Sequence, residues 1–137
     1  TVIEIDNVKI LLLHGDTLCA DDHEYQNFRS MVRSSNWQKE MLSKSLEERL
    51  AIANSLREKS IEANRLKGEE IMDVNTTEVM NIIEKYKPNV IIHGHTHRPN
   101  IHRHNEVTRY VLGDWYNNFF ILTYDNDKFY INKGLLK

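Results

Sequence analysis

The stretch Val90–Ile91–Ile92–His93–Gly94–His95–Thr96–His97–Arg98–Pro99 decides how the rest of the chain is read. An apolar run ends in three histidines at alternate positions, with a glycine inside the set. Pro99 stops any regular element beyond it. In an extended backbone, residues two apart point to the same side. The pattern therefore predicts that His93, His95 and His97 can face one point. Neutral imidazoles gathered at one point form either a transition-metal site or a crowded polar patch. A set delivered by the end of a buried-type strand favours the metal.

Upstream of this stretch, Asn75 with Glu78 three residues later reads as a helix start, and Pro88 as its end. Val79, Met80, Ile82, Ile83 and Tyr86 supply the apolar face. A capped helix followed at once by a buried strand is half of an α/β layer unit. Downstream lie a polar hairpin tip at 103–106 and strands over 107–112, 119–124 and 129–131. Gly113–Asp114–Trp115 interrupts that series, and Asp125–Asn126–Asp127 turns its last pair. His102 and His104 have no apolar frame around them and read as surface residues.

The N-terminal part repeats the theme of a strand ending in histidine. Two β-type runs, 2–5 and 8–13, flank Asp6–Asn7, which tolerate the positive φ of a tight hairpin. Leu11–Leu12–Leu13 is apolar without alternation, as expected of a strand covered on both faces. It runs into His14–Gly15–Asp16. Tyr25, Phe28, Met31 and Val32 fit one face of a helix, and Ser34–Ser35–Asn36 breaks it. Ser45 and Glu48 form a capping box that starts a long helix at Leu46, running to about Leu66 and ending at Gly68. Arg57, Ser60, Asn64 and Lys67 then fall on one face. That stripe suits a phosphate-bearing, hydroxyl-rich ligand, or is simply a solvated face.

Composition sets the bounds. The 137 residues allow one domain with a real core. A net charge of −2 gives no global pointer to nucleic acid. The charge is uneven: residues 29–67 carry nine Lys/Arg against five Glu, a local +4 that suggests an anionic partner for that segment. Cys19 is the single cysteine, so no disulfide forms within the chain and a reducing compartment fits. No apolar run is long enough to span a bilayer. Thr1–Val2–Ile3–Glu4–Ile5 is no signal peptide; without an initiator Met, and opening directly on a strand, the chain is expected to come from something longer.

Gly94–His95–Thr96–His97 after an apolar strand, preceded by His14–Gly15–Asp16 after an earlier one, resembles the last two motifs of the calcineurin-like metallophosphoesterases. The likeness narrows to the branch that hydrolyses UDP-2,3-diacylglucosamine in lipid A synthesis. It is carried by His14 to Asp22, by Ser60–Ile61–Glu62–Ala63–Asn64 with Lys67, by Ile71–Met72–Asp73–Val74–Asn75 and by Val111–Leu112–Gly113. The resemblance implies an α/β fold: the C-terminal part of a metallophosphoesterase β-sandwich flanked by helices. Residues 1–137 would be a partial domain, with 29–67 a helical cap inserted into it. It implies two divalent ions, Mn²⁺ in type, with His14 and His95 on one and His97 on the other. His95 would also lie beside the substrate phosphate as the catalytic residue. Asp22, Ser60, Asn64, Lys67 and His95 would bind substrate, with Tyr25, Phe28 and Arg57 lining the acyl-chain cleft. His93 is not a ligand in the family, against the alternation above. The implied partners are the UDP-diacylglucosamine lipid and the anionic cytoplasmic face of the bacterial inner membrane, where the protein would be peripheral.

The family also uses Asp-x-His, Gly-Asp and Gly-Asn motifs ahead of these histidines. Asp21–Asp22–His23 and Gly113–Asp114 match two of them by letters but fall in the wrong order, and no Gly-Asn occurs. Two metals roughly 3.5–4 Å apart need a bridging anion, which neutral imidazoles do not supply. The chain alone is therefore expected to have little hydrolase activity, and to need the missing N-terminal half as partner and sheet neighbour. Two other readings stay open: a phosphoesterase of the same superfamily acting on a soluble nucleotide, and a non-catalytic module that keeps the fold without the metals. A structural zinc domain is disfavoured because Cys19 has no second cysteine.

Overall fold

A computed structural model describes residues 1–68 and 71–136; the side chains of Asn64 and Leu66 lie outside that description. The chain divides into two compact units, Thr1–Leu18 with Val74–Lys137, and Cys19–Asp73.

The first unit is built on a five-stranded sheet in the order β1-β2-β3-β5-β4. Strands β1 (Val2–Ile5) and β2 (Val8–Leu12) form a hairpin closed by Ile5 opposite Val8. Asp6 at φ 49° and Asn7 at φ 63° give the two left-handed residues that such a two-residue turn requires. Strand β2 runs parallel to β3 (Val90–His93), and β3 parallel to β5 (Val107–Val111); β4 (Asn100–His104) returns antiparallel along β5. Strands β6 (Asn118–Asp125) and β7 (Lys128–Leu135) form a second sheet, turning at Asn126 and Asp127, both at positive φ.

The period-2 side-chain rule sorts the core into two faces. Ile10, Val90 and Tyr110 point one way and pack against Leu122, Phe129 and Ile131 of the second sheet. Leu11, Ile91 and Val107 point the other way, onto Ile82, Ile83 and Tyr86 of helix α4 (Thr76–Tyr86). (Three helices precede α4 and belong to the second unit.) The central strands are covered on both sides, as their unbroken apolar runs predict. The Asn75 side chain accepts the Glu78 N–H and opens α4. At its other end Lys87 takes the left-handed conformation, φ 45°, just before Pro88. Two sheets with a flanking helix are the layers the resemblance implies.

The second unit holds α1 (His23–Val32), α2 (Ser35–Ser43) and α3 (Leu46–Leu66). Residues 29–67 fall inside it. The Ser45–Glu48 capping box forms reciprocally, so α3 starts where the sequence predicts. Its end differs: Lys67 is extended, and Gly68 does not adopt the left-handed conformation that a glycine terminator supplies. The break at Ser34 is also a beginning. Its hydroxyl accepts the Trp37 N–H and starts α2, a helix the periodicity did not reveal. His102 and His104 are not residues of a surface tip. They lie half-buried on β4, and His104 accepts a hydrogen bond from Arg109 across the hairpin.

Candidate active site

Parallel strands place the ends of β2 and β3 side by side, the position where α/β sheets put functional groups. Two loops leave there and are stitched together at once. The Gly94 N–H donates to the His14 carbonyl at 3.0 Å. Gly15 sits against the second loop at φ +112°, a conformation that favours glycine. A Cβ on it would lie 2.8 Å from His93 Nδ1 and 2.9 Å from the Gly94 carbonyl oxygen. Glycine is thus required here by both conformation and space.

The result is a histidine pair from sequence-distant loops. His14 Nε2 and His95 Nδ1 stand 3.2 Å apart, with the rings edge to face. Imidazole nitrogens bind zinc-like ions at about 2.0–2.1 Å, so two neighbouring ligands on one ion stand roughly 3 Å apart. The pair therefore fits two positions of one coordination sphere. His14 is exposed and His95 half-buried.

The alternation that predicts three convergent histidines does not survive. Strand β3 ends at His93, and the chain then turns, with His95 at φ 65° and His97 at φ 54°. Left-handed non-glycine residues cost about 1–2 kcal/mol each, and such strain clusters at functional sites. Between them the buried Thr96 hydroxyl has no hydrogen-bond partner among the described residues. His93 points into the core, 1 % exposed, with Nε2 facing Arg109 Nη1 at 2.9 Å. His97 turns instead toward Asp114, Nδ1 to Oδ2 3.6 Å, and packs its ring edge near Tyr116. It does not join His14 and His95: among the described residues no three His, Cys, Asp or Glu side chains converge on one metal position.

Asp114 and Arg109 are the residues that sequence reasoning missed. Gly113–Asp114 was legible as a carboxylate following a strand, but its place after the histidines argued against it. Only strand pairing shows that the end of β5 lies beside the end of β3.

In the second unit, Asp22 caps α1 by accepting the Tyr25 N–H. The same carboxylate receives Lys67 Nζ at 2.8 and 3.0 Å, and Glu24 reaches that ammonium at 3.2 Å. Burial works against the charge on Lys67, but the hydrogen bonds to Asp22 and Glu24 outweigh it and raise its pKa above the usual lysine value. Ser60 and Lys67 line a cavity of about 220 Å³ together with Tyr25, Phe28, Leu56 and Ala63. Arg57 is exposed and is not part of that lining. The side chain of Asn64 lies outside the described residues.

The profile of the calcineurin-like phosphoesterase family matches residues 1–99. The chain is similar to proteins named UDP-2,3-diacylglucosamine hydrolase from three bacteria. That of Chromohalobacter salexigens is 46% identical over 110 residues, covering 77% of this chain and 45% of the relative. That of Haemophilus influenzae is 45% identical over 118 residues, 86% of this chain and 50% of the relative. That of Bordetella pertussis is 47% identical over 120 residues, 83% and 46% respectively. The chain spans about half the length of these curated relatives. With a family match across most of its length and the two histidine loops of that family joined at their backbones, the chain belongs to the calcineurin-like phosphoesterases.

Proposed function

We propose that this chain is part of a hydrolase acting on the pyrophosphate of UDP-2,3-diacylglucosamine in lipid A synthesis. Water would attack the α-phosphorus, and the bond from that phosphorus to the bridging oxygen would break. UMP and 2,3-diacylglucosamine 1-phosphate would leave, with the protons of water passing to the two phosphates and solvent. Membership of the family implies dependence on divalent metal; two ions, Mn²⁺ in type, are our reading. Such ions, when bound, make water a nucleophile near neutral pH and stabilise charge on phosphate.

The observation that carries this reading is the approach of His14 Nε2 to His95 Nδ1 at 3.2 Å, which suits ligation of a single ion. Asp114 faces Nδ1 of His97, leaving Nε2 to serve as the ligand for the other, as carboxylates do for metal-bound imidazoles. His95 would steady the phosphate oxygens as the catalytic side chain. Asp22, Ser60, Asn64 and Lys67 would hold the nucleotide and sugar phosphate, with Tyr25 and Phe28 receiving the acyl chains. Leu42, Leu46 and Leu50 are exposed within the cationic 29–67 segment. That combination suits peripheral contact with the anionic cytoplasmic face of the bacterial inner membrane. No described helix is long and apolar enough to cross a membrane.

The test uses this chain joined to the N-terminal half that the resemblance implies. His95→Ala is expected to lose turnover of the UDP-lipid by far more than His102→Ala; equal losses contradict the assignment. A non-catalytic module that keeps the fold without the metals is the second reading. It predicts that the complete protein takes up no Mn²⁺.

A further inference from the structure

The buried histidine at the end of β3 is left over from any metal set, and it is the most enclosed imidazole of the site. His93 is 1 % exposed and Arg109 4 %. They come from the neighbouring parallel strands β3 and β5, on the face that α4 also covers. Arginine only donates hydrogen bonds. Arg109 Nη1, 2.9 Å from His93 Nε2, therefore needs the lone pair on that nitrogen. The proton of the neutral ring must then be on Nδ1, which lies 3.0 Å from the Gly94 carbonyl oxygen and donates to it. The same peptide segment is held from its other side, because the Gly94 N–H donates to the His14 carbonyl at 3.0 Å. The ring also fills the space beside Gly15, so the His14 loop packs directly on it. Arg109 is steadied in turn by Nε donating to His104 Nε2 at 3.3 Å.

We propose that Arg109 and His93 are positioning residues: the guanidinium fixes the imidazole tautomer, and the imidazole clamps the Gly94 turn so that His95 meets His14 at ligand separation. A purely apolar side chain could fill the same volume, but it could not hold a carbonyl in one orientation. The turn is strained, because the residue after Gly94 is left-handed; the Gly94 carbonyl accepts the Thr96 N–H at 2.8 Å, and the imidazole adds a second hydrogen bond to that local one, anchored to the core through Arg109. Loss of the clamp lets His95 relax toward ordinary backbone geometry and carries its ring away from His14.

The proposal rests on His14 and His95 being ligands, and the experiment separates the two claims. Imidazole nitrogen NMR of the full chain, free and titrated with Co²⁺ alone, reads tautomer and binding independently. Without metal, His93 is expected to carry its proton on Nδ1; a proton on Nε2 overturns the clamp whatever the metal does. With Co²⁺, the His14 and His95 resonances are expected to respond first; if neither does, the ligand reading falls and the tautomer alone judges the clamp. His93→Leu and Arg109→Met are expected to lose about tenfold or more in Co²⁺ affinity, the range seen when partners behind metal ligands are removed. His93→Asn places an amide N–H where Nδ1 stood and is expected to recover most of that loss. Wild-type affinity in folded His93→Leu, or equal weakening in the Asn and Leu variants, overturns the proposal.

Discussion

Single residues set the geometry where the two loops meet, and their effects can be stated one at a time. Gly15→Ala forces a side chain into a left-handed backbone and against both His93 and the Gly94 carbonyl. Strain and overpacking together should cost at least about 2 kcal/mol, measured as a drop in urea midpoint without a change in slope. His104 offers a pH-dependent prediction. Burial, aided by the neighbouring Arg109 charge, lowers its pKa below the usual histidine value. The unfolded chain then binds this proton more readily than the folded one. The stability linked to His104 is complete above about pH 6.5, the ordinary value, and falls as pH drops below it. His104→Gln keeps an acceptor for Arg109 without the titration. Its Tm relative to the parent chain should therefore rise as pH falls from 7.5 to 5.5; a gap that stays constant with pH would refute the assignment.

At the scale of elements, local signals were legible wherever one residue's chemistry decides the structure. Ser45 and Glu48 marked the start of α3, Asp6–Asn7 the first hairpin, and Asn75 the start of α4. Asn75→Ala should cost about 1 kcal/mol, typical of a lost N-cap, read from the thermal melt with Thr77→Ala as control. Where the signals failed, a neighbour had overridden them. Helix α2 starts at a serine that reads equally well as a break, since the same side chain ends one helix and caps the next. His102 and His104 look polar and exposed in sequence, yet β4 lies against β5 in register and brings His104 to the buried Arg109. The alternating histidines were misread because the strand stops at the first of them, and no local rule announces that stop.

For the whole molecule, the decisive fact is that a chain about half as long as its relatives still presents a two-sheet core with α4 on one face. Its described residues bring two imidazoles together, the pair proposed as ligands of one ion. Under the proposed function, the isolated 137-residue chain should turn over UDP-2,3-diacylglucosamine at no more than about one-thousandth of the rate of the completed protein that the proposal implies, the scale of loss when a catalytic unit is broken. Turnover close to that of the completed protein would show that the two-metal reading is wrong. Residue order alone established the strands that lead into the histidine loops, the helix caps and the family these motifs resemble, because apolar periodicity and capping act over a few residues. Which histidines meet was a different matter. The pairing of His14 with His95, the inward turn of His93 and the approach of Asp114 to His97 were decided only in three dimensions. They depend on parallel strands that bring residues from 16 to 81 positions apart into contact, and on left-handed backbone held by the packed surroundings.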